Sequence, residues 1–196
     1  MKKSWIVIAI IIVIGVLLYG WVKGAYNQMV TQSETVDKHW ADVENVYQRR
    51  ADLIPNLVAT VKGYAEHERE TLEGVINARA KATQTTINAG ELTPESMAAF
   101  QQAQDGLSSA LSKLMVVVER YPDLKANQNF LELQSQLEGT ENRITVERQK
   151  FNEAARQYNT YIKLFPKNIL ANFFGFDVKP YFEAQQGAET APTVEF

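Results

Sequence analysis

Two hydrophobic patterns divide the chain. The first is an unbroken block: Trp5–Val22 reads WIVIAIIIVIGVLLYGWV, without a charge. At helical rise it extends ~27 Å, close to the ~30 Å hydrocarbon core of a bilayer. Lys2 and Lys3 flank one end and Lys23 the other, with Trp5, Tyr19 and Trp21 where an interfacial aromatic belt belongs. A secretory signal would also be apolar and N-terminal. Its cleavage site needs small residues in a small-x-small arrangement, and Val22 and Lys23 are poor partners for Gly24 and Ala25. The block therefore reads as a retained span, an anchor over residues 1–25. Gly20 and Gly24 form a GxxxG only at the membrane edge, a weak dimerisation signal.

The second pattern begins at Val36, where apolar residues recur at steps of three and four. Val36, Trp40, Val43 and Tyr47, then Ile54, Leu57, Val61, Tyr64, Leu72 and Val75, lie on one helical stripe. The segment Thr85–Gly90 closes it. Thr93–Pro94–Glu95 opens the next helix: threonine caps the free amides, proline suits the first turn, and glutamate complements the dipole. Its stripe is Phe100, Leu107, Leu111, Leu114, Val118 and Tyr121, ending at Pro122. Asn127 can cap a last long helix with the stripe Phe130, Leu133, Leu137, Ile144, Phe151, Ala155, Tyr158, Ile162 and Phe165, stopped by Pro166. Asn168–Gly175 adds a short apolar turn.

Pro55 interrupts the first stretch. It either kinks one helix or separates two, with Arg49 and Arg50 at the end of one and Asp52 capping the next. A break gives four comparable helices, which pack more sensibly than one overlong helix and two shorter ones. The expected fold is all-α: a transmembrane helix followed by an antiparallel up-and-down bundle of four long helices over residues 26–182. The remainder, 183–196, is small, polar and proline-containing, and reads as a disordered tail.

Composition narrows the function. No cysteine occurs, which excludes disulfides and thiolate chemistry. Beyond Lys2 and Lys3 the chain carries 18 basic against 23 acidic residues, the wrong balance for nucleic acid. The paired N-terminal lysines favour a cytoplasmic N-terminus and an exported bundle.

The stretches WADVENVYQRRADLIPNLVATVKGYAEHE at Trp40–Glu68 and LSKLMVVVERYPDLKANQNFLELQSQLEG at Leu111–Gly139 are specific. With TENRI at Thr140–Ile144, Tyr158–Asn159, Phe165–Pro166 and FGF at Phe174–Phe176, the chain resembles the LemA family of bacterial membrane proteins. The resemblance implies a membrane-anchored antiparallel helical bundle of the cell envelope. It implies no activity and carries over no catalytic or ligand residue.

No catalytic signature appears in the residues themselves. Serine-nucleophile and phosphate-loop motifs are missing. Carboxylate-bridged metal sites in bundles use Glu-x-x-His pairs, but the residues three before His39 and His67 are Val36 and Tyr64. The reverse spacing His67-x-x-Glu70, with Glu66 and Glu73 nearby, has no second histidine-bearing helix and reads as a solvated face. No cofactor and no metal are expected.

Two features remain. Arg50 lies on the apolar stripe, and Glu141 and Arg148 fall on or beside that of the last helix. Buried charges need partners and can fix register, so Arg49 or Arg50 is expected to meet Glu138, Glu141 or Asn142 in a polar layer. The alternative leaves these groups wet at a helix end. At the C-terminus, Val194 and Phe196 alternate before a free carboxylate, as in peptides that add to a sheet edge. The expected function is a non-catalytic envelope scaffold or adaptor that engages an envelope protein through a helix face or the tail. The rivals are a metal-binding or hydrolytic envelope enzyme and a homo-oligomeric stalk that organises membrane.

Overall fold

The structure is a computed structural model that describes residues 2–65 and 67–183. Among these every regular element is helical: α1 (Lys2–Lys62), α2 (Arg69–Gln84), a 3₁₀ turn (Ala89–Glu91), α3 (Pro94–Val118), α4 (Pro122–Lys125), α5 (Gln128–Lys163) and α6 (Lys167–Phe174). The tail residues from 184 onward, Val194 and Phe196 included, lie outside the described residues.

The expected break at Pro55 is not there. α1 is one helix of 61 residues, about 90 Å long, running from the apolar block through Pro55 to Lys62. The reason is tertiary. Proline lacks the N–H that would bond the carbonyl four residues back, Ala51, which is buried. Arg79 of α2 donates its Nε–H to that carbonyl at 2.7 Å. The second helix therefore supplies the missing donor, and the chain first turns at Gly63 and Tyr64, after Lys62, instead.

Two residues predicted as core are exposed, each just past a helix end. Tyr64 lies past the end of α1 and is 45% exposed, its hydroxyl accepting from Asn127. Phe165 lies past the end of α5 and is 80% exposed. Each continued its stripe in sequence after the helix that defined the stripe had ended. Trp40 and Tyr47, inside α1, are buried.

The caps follow the local chemistry. Thr93 and Ser96 form a reciprocal capping box at the start of α3, with Pro94 in the first turn. Asn127 Oδ1 accepts from the Phe130 N–H at the start of α5. Pro122 stops α3 and also opens the short α4.

α1 packs along α5, and α2 on α3 and on α1. Contacts along α1 meet α5 in reverse order: Trp40 meets Phe151, Arg50 meets Glu141, and Tyr64 meets Asn127. The two helices are thus antiparallel. Two apolar clusters result. One gathers Met29, Val36, Trp40, Val43, Phe100, Phe151 and Tyr158; the other gathers Ile54, Leu57, Val61, Leu107, Leu114, Leu124 and Phe130. Arg50 sits at the level between them.

The residues of the block, by contrast, face outward. Trp5, Val16, Leu17 and Tyr19 are each more than 60% exposed. An apolar helix that buries nothing against its own protein needs another apolar medium.

Candidate functional site: a polar groove floored by a buried arginine

α3 and α5 scarcely approach each other, because each packs on a different neighbour. The gap between them is a groove of about 810 Å³. Its floor is Arg50 on α1, 1% exposed and delivered there by the same helical spacing that buries Tyr47 and Ile54.

The guanidinium is well provided with acceptors. Nη1 donates to Glu141 Oε1 at 2.6 Å and to Ser108 Oγ at 2.9 Å; Nη2 donates to the Gln104 side-chain oxygen. Its carbon lies 5.1 Å from the centre of the Tyr47 ring. Only Nε, also buried, has no hydrogen-bond partner. The pair is lopsided: the Arg50 side chain is 2% exposed and that of Glu141 46%. Burial pushes the Tyr47 phenol above its ordinary range, against the opposing pull of Arg148 and Arg50.

The other residues considered for this layer stand apart from Arg50. Arg49 points to solvent. Glu138 is exposed and accepts from Gln134 on its own helix. Asn142 lines the groove, exposed. Two partners of Arg50 were missed, Gln104 and Ser108. Gln104 had a signal: it occupies the stripe position between Phe100 and Leu107, a buried helical site given to an amide.

One end of the groove is closed by an extended segment following α6. Phe182 enters the core there, 6% exposed, stacked on Trp40 and edge-on to Phe151. Side-chain amides hold its backbone in paired fashion. Asn152 accepts from the Phe182 N–H and donates to the Phe182 carbonyl, at 2.8 and 3.0 Å. Asn159, buried, does the same to Lys179 at 2.9 and 2.8 Å. Gln101 of α3 donates to the carbonyl of Glu183, as does Arg148, at 3.2 and 3.0 Å. Two α5 asparagines spaced by seven residues thus read an extended backbone. Asn142 and Gln149 continue the same groove wall, and among the described residues their side-chain amides make no hydrogen bond.

A separate group lies on the α1–α5 seam. His39, Asp42 and Glu147 bring one donor atom each to within 4.8 Å of one another, and His39 Nδ1 is 3.5 Å from Asp42 Oδ2. Two ligands of a tetrahedral zinc ion stand about 3.4 Å apart, given bonds of ~2.0–2.1 Å, so the spacing suits a small divalent cation. His39-x-x-Asp42 is the reverse spacing considered at His67, and there the histidine is exposed.

The sequence model of the LemA family matches residues 39–196, from the middle of α1 onward. The chain belongs to the LemA family. Magnetosome protein MamQ of Magnetospirillum gryphiswaldense is 29% identical over 182 residues, covering 84% of this chain and 67% of that protein. MamQ 2 of Paramagnetospirillum magneticum is 28% identical over 186 residues with the same coverage. Protein LemA of Metamycoplasma hominis is 22% identical over 170 residues, covering 87% of this chain and 74% of that protein. The exposed apolar helix and these relatives support a membrane location for this LemA-family chain.

Proposed function

We propose that the protein is a non-catalytic adaptor of the cell envelope, held by a single N-terminal span, that captures an extended segment of a partner protein in the groove between α3 and α5. The observation that carries this reading is the extended segment already seated at one end. Asn152 and Asn159 pair with its backbone rather than with its side chains, and Asn142 and Gln149 extend that wall with their amides unused. Backbone pairing gives affinity for any extended chain, while flanking side chains give choice. The anchor raises the effective concentration for a partner in the same membrane. With Lys2 and Lys3 on the cytoplasmic side, the bundle stands on the exported side.

In-cell photocrosslinking of the full-length chain tests this, with the crosslinker at Asn142 or Gln149 and at an exposed position away from the groove. A discrete partner captured only from the groove supports the reading. Self-crosslinks alone would replace it with a homo-oligomeric stalk. A parallel chain lacking residues 184–196 locates any contribution of the tail.

A metal-binding reading has one observation in its favour, the cluster of His39, Asp42 and Glu147. Calorimetric titration with zinc decides it: loss of binding in His39→Ala supports that reading, and no heat in the parent removes it.

A further inference from the structure

We infer that α6 is a second membrane contact, a foot that rests in the headgroup layer of the bilayer that holds α1. Its inner face is used: Ala171 is buried and Leu170 packs on the core. The outer face is apolar and bare. Ile169 is 58% exposed and Phe173 80% exposed, one helical turn apart, and Phe165 just before the helix is also 80% exposed. Such a helix commonly seats its apolar face at a membrane surface.

Position names the occupant. Phe174 and Phe176 pack edge-on to Tyr26, with ring centres 5.0 and 5.5 Å apart. Tyr26 is four residues beyond Val22, the last residue of the apolar block, which places it about 6 Å past the hydrocarbon edge along α1. The headgroup layer on each side of a bilayer is about 5–7 Å deep, so α6 stands at headgroup height. α1 is continuous across this stretch, so the height is fixed by one helix. The bare apolar face is thus contiguous with the exposed apolar surface of the span. Lys23 lies one residue beyond the apolar block and Lys167 opens α6, its Nζ 3.7 Å from the centre of the Tyr161 ring; both are charges that anionic headgroups attract.

The full-length chain in nanodiscs holding a single copy and a mixture of zwitterionic and anionic lipid gives the test. The chain has no cysteine, so Ile169→Cys, Phe173→Cys and Val116→Cys each carry one environment-sensitive fluorophore. Val116 is 71% exposed near the end of α3, at the far end of the bundle from Tyr26. All three positions are exposed, so the labels leave the core untouched. The labels at 169 and 173 should shift to the blue and lose most of their emission to a headgroup-depth nitroxide lipid, while the label at 116 does neither. Quenching at 173 no greater than at 116 would overturn the inference. So would a label at 173 shielded from water yet indifferent to the lipid quencher, because protein and not lipid would then cover it.

Discussion

Glu141→Leu should destabilise the bundle more than Arg50→Leu, and the double variant should resemble Arg50→Leu alone. The asymmetry comes from burial. Breaking a buried ion pair costs about 3–5 kcal/mol when a charge is stranded in the protein. Arg50 cannot reach water on its own, since it is 1% exposed. Removing Glu141 leaves it with Ser108, Gln104 and whatever water the groove admits, which reduces the expected cost to about 2–3 kcal/mol. Removing Arg50 strands nothing charged, because Glu141 is already half-exposed. The loss there is the donor to the buried Gln104 oxygen, about 1–2 kcal/mol, with leucine refilling part of the space.

With both leucines present, no charge remains to strand. The coupling between the two positions is then about 2 kcal/mol, well above the ~0.5 kcal/mol within which independent sites add. Urea unfolding of the full-length protein in detergent micelles, followed by helical circular dichroism, measures all four corners. A Glu141→Leu cost of ~0.5 kcal/mol or less, the worth of an exposed pair, would refute the reasoning. So would strict additivity, which would mean that packing holds Arg50 and Glu141 is incidental.

Arg79→Met should cost about 1–3 kcal/mol by leaving the Ala51 carbonyl unpaired, and much less in a Pro55→Ala background, where the helix supplies its own donor; the same urea assay compares the two. Phe182→Ala opens a cavity between Trp40 and Phe151 worth about 3 kcal/mol or more, and chymotrypsin should cut the peptide bond after Tyr181 faster than in the parent. Burial, reinforced by the Asp177 and Asp37 carboxylates, pushes the Tyr158 phenol up to about 12 from its usual 10.0. The folded state therefore holds this proton more tightly. That contribution is whole below pH 10 and is lost as pH rises from 10 toward 12. The urea midpoint of Tyr158→Phe should fall less across that window than the parent's, since Tyr47, also raised by burial, still titrates in both; equal falls in both would refute the assignment.

How much was legible in the sequence depended on whether a signal was local. The stripe Val36, Trp40, Val43, Tyr47, Ile54, Leu57 and Val61 is buried in full, because spacing along one helix decides which side faces inward. Pro55 misled for the opposite reason. Its local preference was outweighed by a donor from Arg79, 28 residues from the Ala51 carbonyl it reaches, whose approach depends on how α2 folds back. Phe182 carried no signal at all, since it sits in a segment without periodicity and is buried by the gap that α3 and α5 leave. At the candidate site, Arg50 announced itself as a charge on an apolar stripe. Its surroundings were narrowed to a group on α5, and α3's part in them was overlooked although Gln104 interrupts that helix's stripe.

The continuous α1 has a consequence for the adaptor reading. From Val22 to Arg50 is 28 residues, about 42 Å of helix without a glycine or proline after Gly24. An average tilt of ~20° would lower that height by only about 3 Å. The groove is therefore held roughly 40 Å from the hydrocarbon edge by a strut, not on a leash. A flexible tether of the same residue count would let the site sample the whole layer below it, including the membrane surface. With the strut, and with α6 braced at the base, a partner must present its extended segment at that height. Inserting a Gly-Ser linker into α1 between Lys23 and Gly24, ahead of Ala25 and Tyr26, the first residues that pack on the bundle, would keep the anchor and groove but release the height. If capture from Asn142 is unchanged by the linker, the strut does not select the partner; if capture spreads to new partners nearer the membrane, rigidity is part of the selection.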